Sequence, residues 1–217
     1  MAAPPKSQPS SRKRLTAEDR RAAILDAALE VFGHRGYHAA SIDEIAQTAG
    51  ISKALIYEHF PSKKDLHVSL LERHVGEILR RLARVADTSE PGDIRLRAGV
   101  DAFLDWVESH PVAFRLLFRD SLEAEVAEVL VRVQAQATGA IAALMASEPV
   151  ERPPREDPAQ ARLAIEVFAQ QLSGSVQFLA LWWEQHPEVS REFLVDRVMD
   201  YAWLGLERVR AGERATD

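Results

Sequence analysis

From residue 16 onward, apolar side chains recur every three or four positions, the repeat that lines one face of an α-helix, and no segment alternates with the two-residue period of a strand. Ile24, Ala28, Val31 and Phe32 mark a first helix. Thr16 can cap it, Glu18 and Asp19 sit in its first turn where the helix dipole favours negative charge, and Gly33 and Gly36 are expected to end it. Ser41-Ile42-Asp43-Glu44 reads as a capping box opening a helix only two turns long, with Ile42, Ile45, Ala46 and Ala49 apolar and Gly50 supplying a left-handed exit. Ser52 can cap a third helix, which stops by Phe60 because Pro61 disfavours helical geometry in the residue before it. Ser62 restarts a long helix, with Leu66, Leu70, His74, Ile78, Leu82 and Val85 in one stripe down to Asp87.

Farther on, residues 94–108 are amphipathic, His110-Pro111 breaks the pattern, and residues 111–118 form a short apolar helix. Asp120 or Ser121 opens a long helix with Val126, Leu130, Val133, Ala137, Ile141 and Leu144 inward, ending before a loop that holds Pro149, Pro153, Pro154 and Pro158. Two last helices, about 159–185 and 187–209, meet at His186-Pro187, a connection short enough for antiparallel neighbours. The pattern predicts an all-α chain of about nine helices: a basic arm over 1–14, a three-helix unit over 15–71 and a larger helical unit over 72–217.

Composition removes several function classes. With 47% apolar residues a real core is available, and with no cysteine there is no disulfide framework, thiolate metal cage or cysteine nucleophile. No apolar run approaches the roughly 20 residues that cross a bilayer, and the basic, proline-rich N-terminus lacks the apolar segment of a secretory signal. A cytoplasmic, nucleoid-associated protein is expected. The net charge of −6 is unevenly placed: up to Lys64 ten bases face seven acids, whereas the remainder carries seventeen bases and twenty-six acids. A basic end on an acidic body suits binding to a polyanion through that end alone.

Two short helices joined by Gly50-Ile51, with a longer one before them, match a helix-turn-helix whose second short helix enters the DNA major groove. At about 100° per residue, Tyr57 and Ala54 lie about 40° and 100° from Lys53, whereas Leu55 and Ile56 lie about 200° and 300° away. Leu55, Ile56 and Phe60 are therefore expected to pack inward, while Ser52, Lys53, Ala54 and Tyr57 face out. Lys53 suits a guanine edge or a phosphate, Ala54 a close approach or a thymine methyl, and Tyr57 and His59 can donate to phosphate oxygens. Ser41 and Lys63, near helix N-termini, are further phosphate donors, and Arg12, Lys13 and Arg14 could add contacts from the arm.

Ile24-Leu25-Asp26-Ala27-Ala28, Phe32, Gly36-Tyr37, Ser41-Ile42-Asp43-Glu44-Ile45-Ala46, Ala49-Gly50-Ile51-Ser52 and Leu55-Ile56-Tyr57-Glu58-His59-Phe60-Pro61-Ser62-Lys63 together resemble the DNA-binding domain of the tetracycline-repressor (TetR) family. The likeness spans residues 16–71; beyond them only the helical layout is similar. It implies a homodimer on a palindromic double-stranded operator, joined through the last two helices in a four-helix bundle. Those helices carry more apolar surface than a monomer can hide, including Phe168, Leu172, Val176, Leu179, Leu181, Trp182 and Trp183, then Phe193, Leu194, Val198, Tyr201, Trp203, Leu204 and Leu206, with Gly174 and Gly205 permitting close approach. The resemblance also implies a small-molecule cavity in the central helices, for which Phe103, Trp106, Val107, Phe114, Leu117, Phe118, Val133, Gln134, Phe168 and Gln171 are the candidates. Apolar walls with a few amides suit an apolar or weakly polar effector that releases a repressor from its operator. Arg115 and Arg119 are the alternatives for an anionic effector, or for a surface pairing with Glu123.

An enzyme fares poorly against this reading. No P-loop, Gly-x-Ser-x-Gly or His-Glu-x-x-His motif is present, and His67 and His74 share a helical face without an obvious third ligand, so neither metal nor cofactor is expected. The other alternative is a DNA-bound scaffold whose body binds a protein. A deep apolar pocket would favour the effector sensor and a solid interior the scaffold.

Overall fold

The computed structural model describes residues 16–86, 88–118, 124–147 and 157–210, and the described residues form nine helices and no strand. In chain order these are α1 (Ala17–Ala39), α2 (Ile42–Ala49), α3 (Lys53–His59), α4 (Lys63–Ala86), α5 (Gly92–Ser109), α6 (Pro111–Phe118), α7 (Ala124–Ser147), α8 (Pro158–Trp183) and α9 (Arg191–Arg210). The expected arm with Arg12, Lys13 and Arg14, the expected α7 caps Asp120 and Ser121, and Arg119 and Glu123 lie outside the described residues.

Local chemistry sets the first four helices. The Thr16 hydroxyl accepts from the Asp19 amide at 3.0 Å while the Asp19 carboxylate accepts from the Thr16 amide at 3.1 Å. Ser41 and Glu44 make the same reciprocal pair at 3.2 and 2.9 Å, which satisfies donors that a helix start leaves open. Gly50 leaves α2 at φ 65°, a left-handed geometry that any side chain would strain. α1 does not end at Gly33. It continues to Ala39 with a break at Gly36, whose φ is 75°, and Gly33 serves packing instead: a Cβ there would stand 2.4 Å from Cγ1 of Val112 on α6.

Ile24, Leu25, Ala28 and Phe32 of α1 close over Ile45, Ile56, Phe60, Leu66 and Leu70, all at most 2% exposed. This core holds α1–α3, here the head, on the first turns of α4. α4 then runs into the body (α5–α9), packing on α5 and α7, while α1 also touches α6 directly. α8 lies on α7 and α9 on α5, so the last two helices do not chiefly pack on one another as their short connection suggested. Leu194, Val195, Val198 and Ala202 bury one face of α9, and a guanidinium clasp adds to it: Arg191 reaches Asp101 at 3.0 Å, Asp105 at 2.5 Å and Glu108 at 2.8 Å on α5. α9 also begins four residues later than expected, because the Trp183 indole N–H donates to the Val189 carbonyl at 2.7 Å and the Ser190 hydroxyl caps the Phe193 amide. Among the described residues no helix is long and apolar enough to cross a membrane.

Candidate functional site

α3 divides as its angular positions require. Ile56 and the following Phe60 are buried, Leu55 is half-buried, and Ser52, Lys53, Ala54 and Tyr57 are exposed, Tyr57 at 44%. The Ser52 hydroxyl accepts from the Leu55 amide at 3.2 Å, so it caps the helix while standing at its outer end. Lys53 is not a free cation: its ammonium donates to Asp43 at 2.8 Å across the turn, and that hydrogen bond holds its pKa above the ordinary lysine value. The outward face thus carries one tethered positive charge, one methyl and one phenol, a set able to meet a phosphate and base edges in a groove.

Three flanking residues are placed differently from one another. His59 is half-buried with its ring tilted against Phe60. Ser41 is half-buried, and its hydroxyl serves the capping box, also donating to Glu44 at 3.0 Å; these bonds hold the Glu44 carboxyl below its usual range. Lys63 donates to the His38 carbonyl at 3.2 Å and lies 4.5 Å over the Tyr37 ring. Tyr37 in turn stacks on His67, which is 5% exposed and whose pKa burial, with help from Lys63, lowers to about 4. Lys63 and Tyr37 therefore belong to one small stack at the base of α4.

The body contains an apolar cleft, partly open to solvent. α4 supplies Ile78, Leu79, Leu82 and Val85, α5 supplies Leu96, Val100 and Phe103, α7 supplies Ala137, Ile141 and Leu144, and α8 supplies Leu172 and Val176. Its polar groups are few: Ser173, Arg95, and the amides of Gln134 and Gln177, which hydrogen-bond to each other at 3.2 Å. The Arg95 Nε is buried without a hydrogen-bond partner.

Of the expected pocket residues, Phe103, Phe118 and Gln134 line this cleft. Trp106 and Phe114 do not; they are fully buried with Val107 and Leu117 in the body core, because their face of α5 and α6 turns toward α1 and α4. Phe168 is half-buried away from the cleft, Gln171 is exposed on the outer face of α8, and the side chain of Val133 lies outside the described residues. Arg115 is held at 2.9 Å by Glu184. Sequence reasoning missed Leu79, Arg95, Gly99, Ser173 and Gln177. Leu79 and Gly99 are ordinary helical residues, and the side of α8 that faces α7 could not be told from the side that faces out.

That outer side is itself apolar. Leu163, Val167, Phe178 and Trp182 are exposed along one stripe of α8, Phe178 at 71%, and Gly174 lies in the middle of it with nothing within 4 Å of a Cβ built there. On α9 the matching exposed residues are Phe193, Tyr201 and Leu204. Leu172, Val176, Trp183, Leu194 and Val198, part of the apolar excess of these two helices, are buried within the chain.

Residues 24–70 match the family model described as bacterial regulatory proteins, tetR family, and residues 93–205 match that of the tetracyclin repressor-like C-terminal domain. The chain is 34% identical over 199 residues to the HTH-type transcriptional activator FasR of Mycolicibacterium smegmatis, covering 90% of this chain and 87% of that one. A TetR-like transcriptional regulator from Rhodococcus sp. RHA1 superposes with a TM-score of 0.74 at 26% identity, covering 89% of this chain and 99% of that one. The transcriptional regulator FadR from Bacillus subtilis, solved in complex with stearoyl-CoA, has the same fold, with a TM-score of 0.64 at 17% identity over 83% of this chain and 96% of that one.

Proposed function

The chain belongs to the TetR family of bacterial regulatory proteins and is a transcriptional regulator, and from that premise we propose that it is a homodimeric repressor released from a palindromic operator by a small-molecule effector with a long apolar chain. The outward face of α3, with Ser52, Lys53, Ala54 and Tyr57 exposed over buried Ile56, carries the reading. A helix of two turns contacts few bases, so useful specificity needs two half-sites about 34–36 Å apart or a multiple of that spacing. Ser41, His59 and Lys63 serve as backbone contacts that fix the register.

The apolar stripes of α8 and α9 form the dimer surface, with Gly174 letting two copies of α8 approach closely. The cleft between α4, α5, α7 and α8 is the effector site, and its presence favours a small-molecule sensor over a protein scaffold. A long acyl chain is the ligand class that matches its walls, and the stearoyl-CoA held by the Bacillus subtilis fold relative supports that choice. The effector shifts the head only by its unequal affinity for two states, commonly about 1–3 kcal/mol of coupling.

Selection of bound DNA fragments by the purified chain, followed by titration of long-chain acyl-CoA, tests the reading. A palindrome bound by wild type and lost on addition of acyl-CoA is expected, together with a Gly99→Leu variant that binds the palindrome but no longer responds. Transcription from that operator should fall on adding protein; a rise would make the chain an activator, like its FasR relative. Lys53→Ala and Tyr57→Phe should each weaken binding with the helical fold intact, and unchanged affinity in both would remove α3 as the reading surface.

A further inference from the structure

His74 lies on α4 with Glu77 one turn along, and the packing of α4 on the α5–α6 corner brings His110 to them, so that one donor atom of each lies within 4.8 Å of the others. The surroundings of this trio are those of a ligand set. His74 is 4% exposed, and both of its ring nitrogens are buried without a hydrogen-bond partner, which is costly for a group that always carries an unshared pair and an N–H when neutral. The Nδ1 of His110 lies 3.1 Å from the Trp106 carbonyl. With the proton on that nitrogen, the Nε2 lone pair faces Oε2 of Glu77 at 3.5 Å, an arrangement of two acceptors that a cation between them would resolve. The other oxygen of Glu77 accepts from Arg81 at 2.9 Å, which orients the carboxylate and leaves Oε2 turned inward.

We propose that His74, Glu77 and His110 form a binding site for a divalent transition ion that pins α4 to the corner between α5 and α6. Two imidazoles and one carboxylate are the donors of zinc, cobalt or nickel, and an all-oxygen cation such as calcium or magnesium is a poor match. Three protein ligands leave a fourth position for water, and bonds of about 2.0–2.2 Å require only that the side chains close inward. The outer partners are in place as metal sites require: the Trp106 carbonyl sets the His110 tautomer and Arg81 orients Glu77. Nearby guanidinium groups do not repel the ion strongly, since Arg81 is shared between Glu77 and Asp105 and Arg73 is paired with Asp26 at 2.8 Å. The site stands on the helix that carries the head, so its loading stiffens the path by which the body moves the head.

Untagged full-length protein, stripped with chelator, should take up one Co2+ per chain, with visible ligand-field absorption that Zn2+ bleaches and excess Ca2+ or Mg2+ does not. His110→Gln and Glu77→Gln, both at partly exposed positions, should each weaken uptake at least about tenfold while far-ultraviolet circular dichroism and operator binding persist. The melting temperature should rise with Zn2+ in wild type and not in either variant. Absence of stoichiometric uptake, or uptake unchanged in both variants, would overturn the proposal and show that the trio is an ion pair beside a buried histidine. Neither result touches the assignment of α3, because operator binding is read separately.

Discussion

A methyl group at position 33 would sit 2.4 Å from Cγ1 of Val112, inside any van der Waals contact. Replacing a helical glycine by alanine ordinarily gains about 0.5–1 kcal/mol, whereas overpacking costs about 1–3 kcal/mol, and valine is too stiff at χ1 to yield freely. Gly33→Ala should therefore destabilise the fold by about 1–2 kcal/mol in urea unfolding, and Val112→Ala in the same chain should recover most of the loss. His67 gives a second prediction at this scale. Burial lowers its pKa to about 4, whereas in the unfolded chain it titrates near the ordinary 6.5. Between those values the unfolded chain binds the extra proton, so stability is constant above about pH 6.5 and falls as pH drops toward 4. Unfolding midpoints at pH 7 and pH 5 should differ, and His67→Leu should reduce the difference without abolishing it, because burial lowers the pKa of His74 to about 4 as well. Neither residue's role was legible in the sequence: Gly33 looked like a helix end because its partner lies 79 positions away, and His67 was one of two equivalent histidines on a stripe.

At the level of the helix, most boundaries set by near neighbours in the head were legible. The caps at Thr16, Ser41 and Ser52, the exit at Gly50 and the stop before Pro61 depend on neighbours within four residues, and all stand in the structure. The start of α9 was misplaced although its signals are near in the chain: the Ser190 hydroxyl caps the Phe193 amide, and the Trp183 indole, six residues before Val189, holds that carbonyl outside the helix. Cap chemistry also separates two roles in the head. Ser41→Ala removes the hydroxyl half of a capping box, leaving the backbone amide's bond to Glu44, and should cost about 1 kcal/mol of stability along with any lost phosphate contact. Lys53→Ala removes only an exposed ion pair with Asp43 and should leave the unfolding midpoint nearly unchanged, while lowering operator affinity and reducing the salt dependence of binding by about one unit of slope. Equal effects of Lys53→Ala on stability and binding would indicate that the pair with Asp43 is structural.

Across the whole molecule, sequence reasoning located the cleft's helices but not its walls. Phe103, Phe118 and Gln134 line the cleft while Trp106 and Phe114 are packed in the core, a distinction that periodicity cannot make, because an aromatic at helical spacing looks the same whether its face meets a cavity or another helix. The exposed stripe of α8 shows the same limit: Phe178 was missed and Val176 misplaced, although they are only two residues apart. An isologous interface repeats each contact about its axis, so one charge near the centre acts twice. Phe178→Glu should convert the proposed dimer to monomer in sedimentation velocity with helicity preserved, and Phe168→Glu, off the stripe, should not. The close seat of Gly33 against Val112 has a mechanical corollary. Head and body are riveted together at two places, once through the shared shaft of α4 and once where α1 rests on α6, so tilting α6 would cant the head even if the shaft stood still.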